Sequence, residues 1–366
     1  MTFDAERIAR PELAGLPVYD PGKSSGDIER EYGLSDCIKM ASNENPLGPS
    51  PLAMDAVSKA LPNIYRYPDG GARRLKEALS GKLGVPGESL LVASGVDEAL
   101  DLVAYAFLAP GDEIVVGEPS FSSYELAALT MGARIRRVPL RRFDQDMSGM
   151  LAAVTERTKV VFVCSPLNPT GSIITAASLE LLLSELPESV LLLLDEAYVE
   201  YVTDEDYFDG LSYVEQNPNL VVTRTFSKIY GLAGLRVGYA ACDPQVAATL
   251  NKVKLPFNVN LLAQEAALAA LDDAEHVRRS RELNTRGRDF IYNVLDELGL
   301  EYAATQANFI LFRMDSFGED YFERLLKQGI IARDGRVLGF PGWVRITIGD
   351  ESQNLKLQQA LRALAG

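Results

Sequence analysis

Short apolar runs alternate with amphipathic segments along most of the chain. The runs Ser89–Ala93, Glu113–Gly117, Arg134–Pro139, Lys159–Cys164, Val190–Leu194, Leu220–Thr225 and Leu235–Ala241 read as strands. Between most of them the apolar positions recur at helical spacing, which predicts helices over Val96–Leu108, Phe121–Met131 and Ala176–Glu185. Parallel strands need a crossover, and a helix supplies it, so this alternation predicts an α/β fold. Runs such as Val160-Val161-Phe162-Val163 and Leu191-Leu192-Leu193-Leu194 have no polar face, as expected of strands covered on both sides. The expected core is a mostly parallel seven-stranded sheet sandwiched by helices.

After Asn260 the rhythm changes. A long charged helical stretch over Asp272–Leu298 leads into a strand at Asn308–Arg313 and a helix at Glu319–Gln328. Short strands near Ile330 and at Val344–Ile348 follow, then a final helix from Asp350. This pattern predicts a smaller α+β domain over residues 271–366, after a large domain over 41–270. Residues 1–40, rich in Pro and Gly, are expected to form an arm that packs on the small domain and on a partner subunit.

Composition narrows the chemistry. With 51 Asp plus Glu against 36 Lys plus Arg, the 366 residues carry a formal charge of −15 and no basic stripe, which argues against nucleic acid as a partner. Any anionic ligand must then be gripped locally. A single histidine, His276, excludes a multi-histidine metal site, and its place in Asp272-Asp273-Ala274-Glu275-His276 predicts a solvated position. Cys37, Cys164 and Cys242 form no close pair and read as reduced thiols of a cytoplasmic protein. Met1–Arg10 lacks the apolar core of a signal peptide. The uncharged stretch Val160–Leu179 contains Pro166, Asn168, Pro169 and Gly171, so it cannot be a membrane helix.

Two apparent motifs fail. Gly22-Lys23-Ser24 has Pro17 where a phosphate-binding P-loop needs its first glycine. No GxGxxG follows the first strand, which disfavours a nicotinamide-linked oxidoreductase.

Four other segments lie at the C-terminal ends of predicted strands, where doubly wound sheets bind ligands. Ser94-Gly95-Val96-Asp97-Glu98 is a small-residue turn opening a helix, suited to a phosphate but also to plain capping. Ser165-Pro166-Leu167-Asn168-Pro169-Thr170-Gly171 reads equally well as a proline-stiffened loop. Asp195-Glu196-Ala197-Tyr198 places a carboxylate at the end of four leucines, where it is costly to desolvate without a cation. The segment Thr225–Gly238 sets Lys228 just past a buried strand, beside Ser227, with Arg236 eight positions on. Such a lysine could form a Schiff base while Ser227 and Arg236 grip a phosphate.

Taken in this order, the four segments resemble pyridoxal-phosphate enzymes of fold type I, the aspartate aminotransferase superfamily. Within it the chain is most similar to the histidinol-phosphate aminotransferases. The likeness extends through Leu16-Pro17-Val18-Tyr19, Ser42-Asn43-Glu44-Asn45-Pro46, Tyr65-Arg66-Tyr67-Pro68-Asp69, Lys254–Asn260, Ala307-Asn308-Phe309, Ile330–Asp334 and Val344-Arg345-Ile346-Thr347.

The resemblance implies a ping-pong transamination with pyridoxal 5'-phosphate, L-histidinol phosphate and 2-oxoglutarate, placed in histidine biosynthesis. An aromatic amino acid transaminase is the nearest alternative it leaves, and a non-catalytic pyridoxal-phosphate-binding regulator a remote one. Lys228 would hold the cofactor and shuttle the proton, Asp195 would pair with the ring nitrogen, and Asn168 and Tyr198 would reach the ring's 3-oxygen. Gly95, Val96, Asp97, Ser227 and Arg236 would seat its phosphate, and Phe121, where the family usually has Tyr, would stack on the ring. Arg345, Arg333, Asn43, Asn168 and the partner-facing Tyr19 would bind substrate. Tyr67 would reach the phosphate of a neighbouring subunit, which implies a homodimer with composite sites.

Overall fold

The computed structural model describes residues 5, 7–13, 16, 25–34 and 36–365. Near the N-terminus lie α1 (Ser25–Tyr32), β1 (Ile38–Lys39), α2 (Pro51–Ala60) and α3 (Arg73–Leu83). The large sheet comprises β2 (Leu90–Ala93), β3 (Glu113–Glu118), β4 (Arg134–Pro139), β5 (Thr158–Cys164), β6 (Leu191–Asp195), β7 (Leu220–Thr225) and β8 (Gly238–Cys242). Its helices are α4 (Gly95–Phe107), α5 (Ser122–Thr130), α6 (Met147–Ala152), α7 (Ala176–Glu185), α8 (Pro244–Val253) and α9 (Leu261–Asp272). The strand order is β2-β8-β7-β6-β5-β3-β4.

Alternation along each strand builds two cores. Leu192 and Leu194 of β6 face the side covered by α3, α6, α7 and α9, through residues such as Leu79, Met150, Leu182 and Ala266. Leu191 and Leu193 face the side of α4, α5 and α8, through Leu100, Tyr124 and Leu250. Burial on both faces is what the unbroken apolar runs predicted.

Strand β8 departs from the parallel pattern. It runs antiparallel to both β7 and β2. The connection from β7 spans only Phe226–Val237 and holds no α-helix, so the chain turns back instead of crossing over. The strand expected at Leu235–Ala241 also starts later. Ala233–Leu235 form a 3-10 turn and Arg236 takes a left-handed conformation at φ +58°, so extension resumes only at Gly238.

The smaller unit follows α10 (Ala274–Glu297), with β9 (Phe309–Arg313), α11 (Tyr321–Lys327), β10 (Ile330–Ile331), β11 (Arg333–Asp334), β12 (Trp343–Thr347) and α12 (Glu351–Ala365). Strands β11, β12 and β9 form an antiparallel sheet, and β1 pairs with β10 in parallel. Helix α10 joins the two units: Val277 packs on the large core, while Ile291, Val294 and Leu295 enter the small one. Ile28 of α1 packs on Leu326 and Ile331 of the small unit. Arg10 lies against the large domain, its Nη2 donating to the Thr130 carbonyl at 2.9 Å.

His276 is buried, only 6% exposed, and not solvated as its charged neighbours suggested. Asp273 caps α10 by accepting the His276 N–H at 3.0 Å, which turns the imidazole inward while Arg278 pairs with Glu275 outside. Desolvation holds this imidazole below its ordinary pKa.

Beneath the sheet's C-terminal edge, Arg224 of β7 binds Glu196 Oε2 through Nε and Nη2 at 2.8 and 2.6 Å, and reaches Asp209 at 2.5 Å. Glu196 is fully buried. Removing the guanidinium strands that carboxylate, so Arg224→Ala should cost about 3–5 kcal/mol of stability. Urea unfolding measures it, and a loss below about 1 kcal/mol would contradict this account.

Candidate active site

Asp195 ends β6 in a cross-strand row with Cys164 of β5 and Thr223 of β7. Directly opposed residues share a face, so the Thr223 hydroxyl reaches Asp195 Oδ1 at 3.1 Å. The Ala197 N–H donates to the same oxygen at 3.1 Å, and the Tyr124 hydroxyl donates to Oδ2 at 2.6 Å. All three donors are neutral. Asp195 is 2% exposed, and burial pushes its pKa up to about 6 although these hydrogen bonds pull it down. The cation this carboxylate needs is thus not provided by its hydrogen-bond partners, which leaves it suited to a protonated ring nitrogen.

Lys228 projects from the loop after β7. Its Nζ donates to the Ser42 carbonyl at 3.3 Å and stands 5.5 Å from the centroid of the Tyr198 ring. Burial, reinforced by the charge of Arg345, brings this amine down to about 8. An appreciable neutral fraction near that pH suits it to attack a carbonyl carbon and to carry a proton.

A cradle for an anion forms where α4 begins. Gly95 adopts φ +80°, a left-handed conformation that favours glycine, and a Cβ there would displace the Arg236 guanidinium, whose Nη2 would lie 2.5 Å away. The left-handed conformation of Arg236 turns its guanidinium toward this turn, where Nη2 meets Asp97 Oδ2 at 3.0 Å and Nη1 meets Ser227 Oγ at 3.4 Å. Free N–H groups, the helix dipole and a guanidinium together favour a phosphate.

On the small-domain side, Arg333 and Arg345 are register partners on β11 and β12. Arg345 is 6% exposed; its Nη1 donates to Asn168 Oδ1, its Nη2 to the Ala41 carbonyl at 3.0 Å, and its Cζ lies 5.1 Å from the Phe309 ring centroid. Asn43, left-handed at φ +56°, donates its backbone N–H to the Thr347 hydroxyl oxygen at 2.9 Å and its Nδ2 to the Tyr198 hydroxyl at 2.9 Å. Its carbonyl accepts from Asn308 Nδ2 at 3.0 Å, while its own Oδ1 is buried without a partner. Because Tyr198 accepts from Asn43, its phenolic proton is left to donate elsewhere. Burial raises the Tyr198 pKa, which keeps that proton in place.

One cleft of about 220 Å³ is lined by Asn43, Val96, Asp97, Phe121, Asn168, Asp195, Tyr198, Ser227, Lys228, Arg236, Arg333 and Arg345. Gly95 stands behind Arg236 and does not line it. Tyr67 is outside the cleft, 83% exposed and stacked on Phe257 at 4.8 Å. Tyr19, like Gly22-Lys23-Ser24, lies outside the described residues.

Sequence reasoning missed Tyr124, Thr223, Ala41, Ser42, Cys164 and Thr225. Tyr124 carried a signal, since it lies one helical turn from Phe121 and shares the buried face of Ala127 and Ala128. The backbone carbonyls of Ala41 and Ser42 carried none.

A family model for class I and II aminotransferases matches residues 35–361. A histidinol-phosphate aminotransferase of Moorella thermoacetica is 49% identical over 356 residues, covering 97% of this chain and 92% of that protein. One from Halalkalibacterium halodurans is 43% identical, covering 94% of each. The crystal structure of histidinol-phosphate aminotransferase from Sinorhizobium meliloti in complex with pyridoxal-5'-phosphate superposes with a TM-score of 0.90 at 27% identity, covering 98% of this chain and 97% of that one.

Proposed function

The chain belongs to the class I and II aminotransferase family, is a pyridoxal-phosphate-dependent enzyme of fold type I, and we propose that it moves the amino group between L-histidinol phosphate and 2-oxoglutarate. The observation that carries the substrate assignment is the pair of cationic positions in one cleft. Arg236 with the first turn of α4 would take the cofactor phosphate, and Arg333 with Arg345 would take the phosphate of one substrate and a carboxylate of the other. The relatives named for this substrate support the same assignment.

Pyridoxal phosphate bound here supplies an aldehyde carbon that captures amines and a ring that accepts the electron pair left when the α-proton departs. The chain's residues do the rest. Asp195, as an anion, would keep the ring nitrogen protonated. Tyr198 and Asn168 would donate toward the ring oxygen, and Phe121 would cover one ring face. Lys228, when its amine is free, would take the α-proton from the substrate and deliver a proton back within the cleft. Arg345 and Arg333 would fix the substrate so that the Cα–H points at that amine.

A shared site in a homodimer is part of this reading. Tyr67 is exposed along with Ile64 at 62%, Tyr65 at 73% and Leu255 at 70%, an apolar surface suited to a second copy. Three free cysteines fit a cytoplasmic enzyme.

Steady-state rates test the substrate. We expect kcat/KM for histidinol phosphate to exceed that for phenylalanine and tyrosine by roughly 10²-fold or more, since two guanidinium groups recognise a dianion. A larger kcat/KM for phenylalanine would remove the histidinol phosphate assignment and leave the transaminase standing. Sedimentation of the protein only as a 40.0 kDa species would remove the shared site.

A further inference from the structure

We propose that Tyr124 is a positioning residue for the cofactor's ring nitrogen and acts through Asp195, whose carboxylate it holds as an anion by donating its hydroxyl hydrogen to Oδ2. The inference rests on the reading that Asp195 faces that nitrogen.

The geometry is specific. Tyr124 is fully buried on α5, and its 2.6 Å contact to Oδ2 is the shortest hydrogen bond that Asp195 receives. An O–H donor at that distance from a carboxylate is in the charge-assisted range. The phenol ring is clamped, stacked on Phe162 at 5.0 Å and 15° and met edge-on by Phe121 at 5.5 Å and 85°. This packing fixes the ring, and with it the hydroxyl oxygen, against Asp195 Oδ2. Burial and the adjacent Asp195 charge raise the phenol's pKa well above its ordinary value, so Tyr124 donates at any working pH.

The other groups facing Asp195 do not replace it. Thr223 and the Ala197 N–H serve Oδ1 at longer distance, and the Cys164 thiol, itself pushed up by burial, stays neutral. Asp97 on α4 acts in the opposite direction, since its negative charge favours protonation of Asp195. One proton is shared between the carboxylate and the ring nitrogen. Whatever stabilises the carboxylate anion leaves that proton on nitrogen, and Tyr124 is the strongest such donor.

Ring-¹⁵N-labelled pyridoxal phosphate, reconstituted into the dimeric or monomeric protein as it purifies, reports the proton directly by its chemical shift at pH 7.5. We expect a protonated nitrogen in the parent protein and a roughly tenfold shift of the proton toward Asp195 in Tyr124→Phe, seen as movement toward the neutral pyridine position. Should that variant not fold, 4-aminophenylalanine at position 124, a weaker donor of similar shape, must move the resonance in the same direction. A nitrogen as fully protonated in the variant as in the parent overturns the role of Tyr124. A nitrogen that is neutral already in the parent overturns the reading of Asp195 itself.

Discussion

Lys228→Ala should lower turnover by roughly 10⁴-fold or more while the protein still folds and still binds pyridoxal phosphate through the other contacts of the cleft. The size follows from how many tasks meet on one atom. Lys228 Nζ is the amine brought down to about 8 in the cleft, and among the described residues no other lysine lines it. The one histidine, buried at the start of α10, does not line the cleft and cannot substitute as the base. The anchoring we propose for Arg236, Ser227 and Asp195 is untouched by the substitution, so cofactor affinity should fall far less than rate. Turnover with either substrate measured under single-turnover conditions checks the first claim, and equilibrium dialysis of the cofactor checks the second. Activity within tenfold of the parent would remove Lys228 from the chemistry.

Asp195→Asn should lower kcat by roughly 10³-fold, since an amide offers the ring nitrogen no negative charge at the point where electrons accumulate on the ring. The same substitution should stabilise the cofactor-free protein at neutral pH. In the fold the carboxyl is pushed from 3.8 to about 6, so burial disfavours the anion. Its contribution to stability is fully present below the unfolded value near 3.8 and is lost as pH rises through about 6. At pH 7.5 the apo-protein therefore carries a penalty of up to about 3 kcal/mol that asparagine does not. Urea unfolding of both apo-proteins should show the variant more stable at pH 7.5 and the difference shrinking toward pH 4. A variant less stable than the parent at pH 7.5 would show that the site does not strain this carboxylate. The pairing of a large rate loss with a stability gain distinguishes a functional carboxylate from a structural one.

Most of the sheet was legible because strands such as β5 and β6 are continuous apolar runs, which only two-sided burial explains. Direction was not, because periodicity does not distinguish parallel from antiparallel. For β8 the clue was the helix-free connection from Phe226 to Val237. The start of that strand was misread because Leu235 is as apolar as a strand residue, while the left-handed turn at Arg236 leaves no mark in hydropathy. Asp195 was visible as a carboxylate in a costly place at a strand end and Lys228 with Arg236 as cations past a buried strand, whereas Asn168 drew its role from the family resemblance. Tyr124 and Thr223 were not visible, since each also fits an ordinary core position, and only their hydrogen bonds to Asp195 in the folded chain give them a purpose. His276 was placed in solvent because its charged neighbours were weighed and the capping geometry of Asp273 was not.

Helix α10 runs 24 residues, about 36 Å of rigid rod, with one end set in each core. A rod so anchored works as a lever. Val277 fixes one end in the large core, and Ile291, Val294 and Leu295 fix the other in the core beneath the sheet that carries Arg333 and Arg345. Packing defects remote from the cleft, at Gly287 against Ile348 for example, would then be felt as displaced guanidinium groups. If Arg333 and Arg345 bind substrate as we propose, the seating of this one helix in both cores would bear on how they are held.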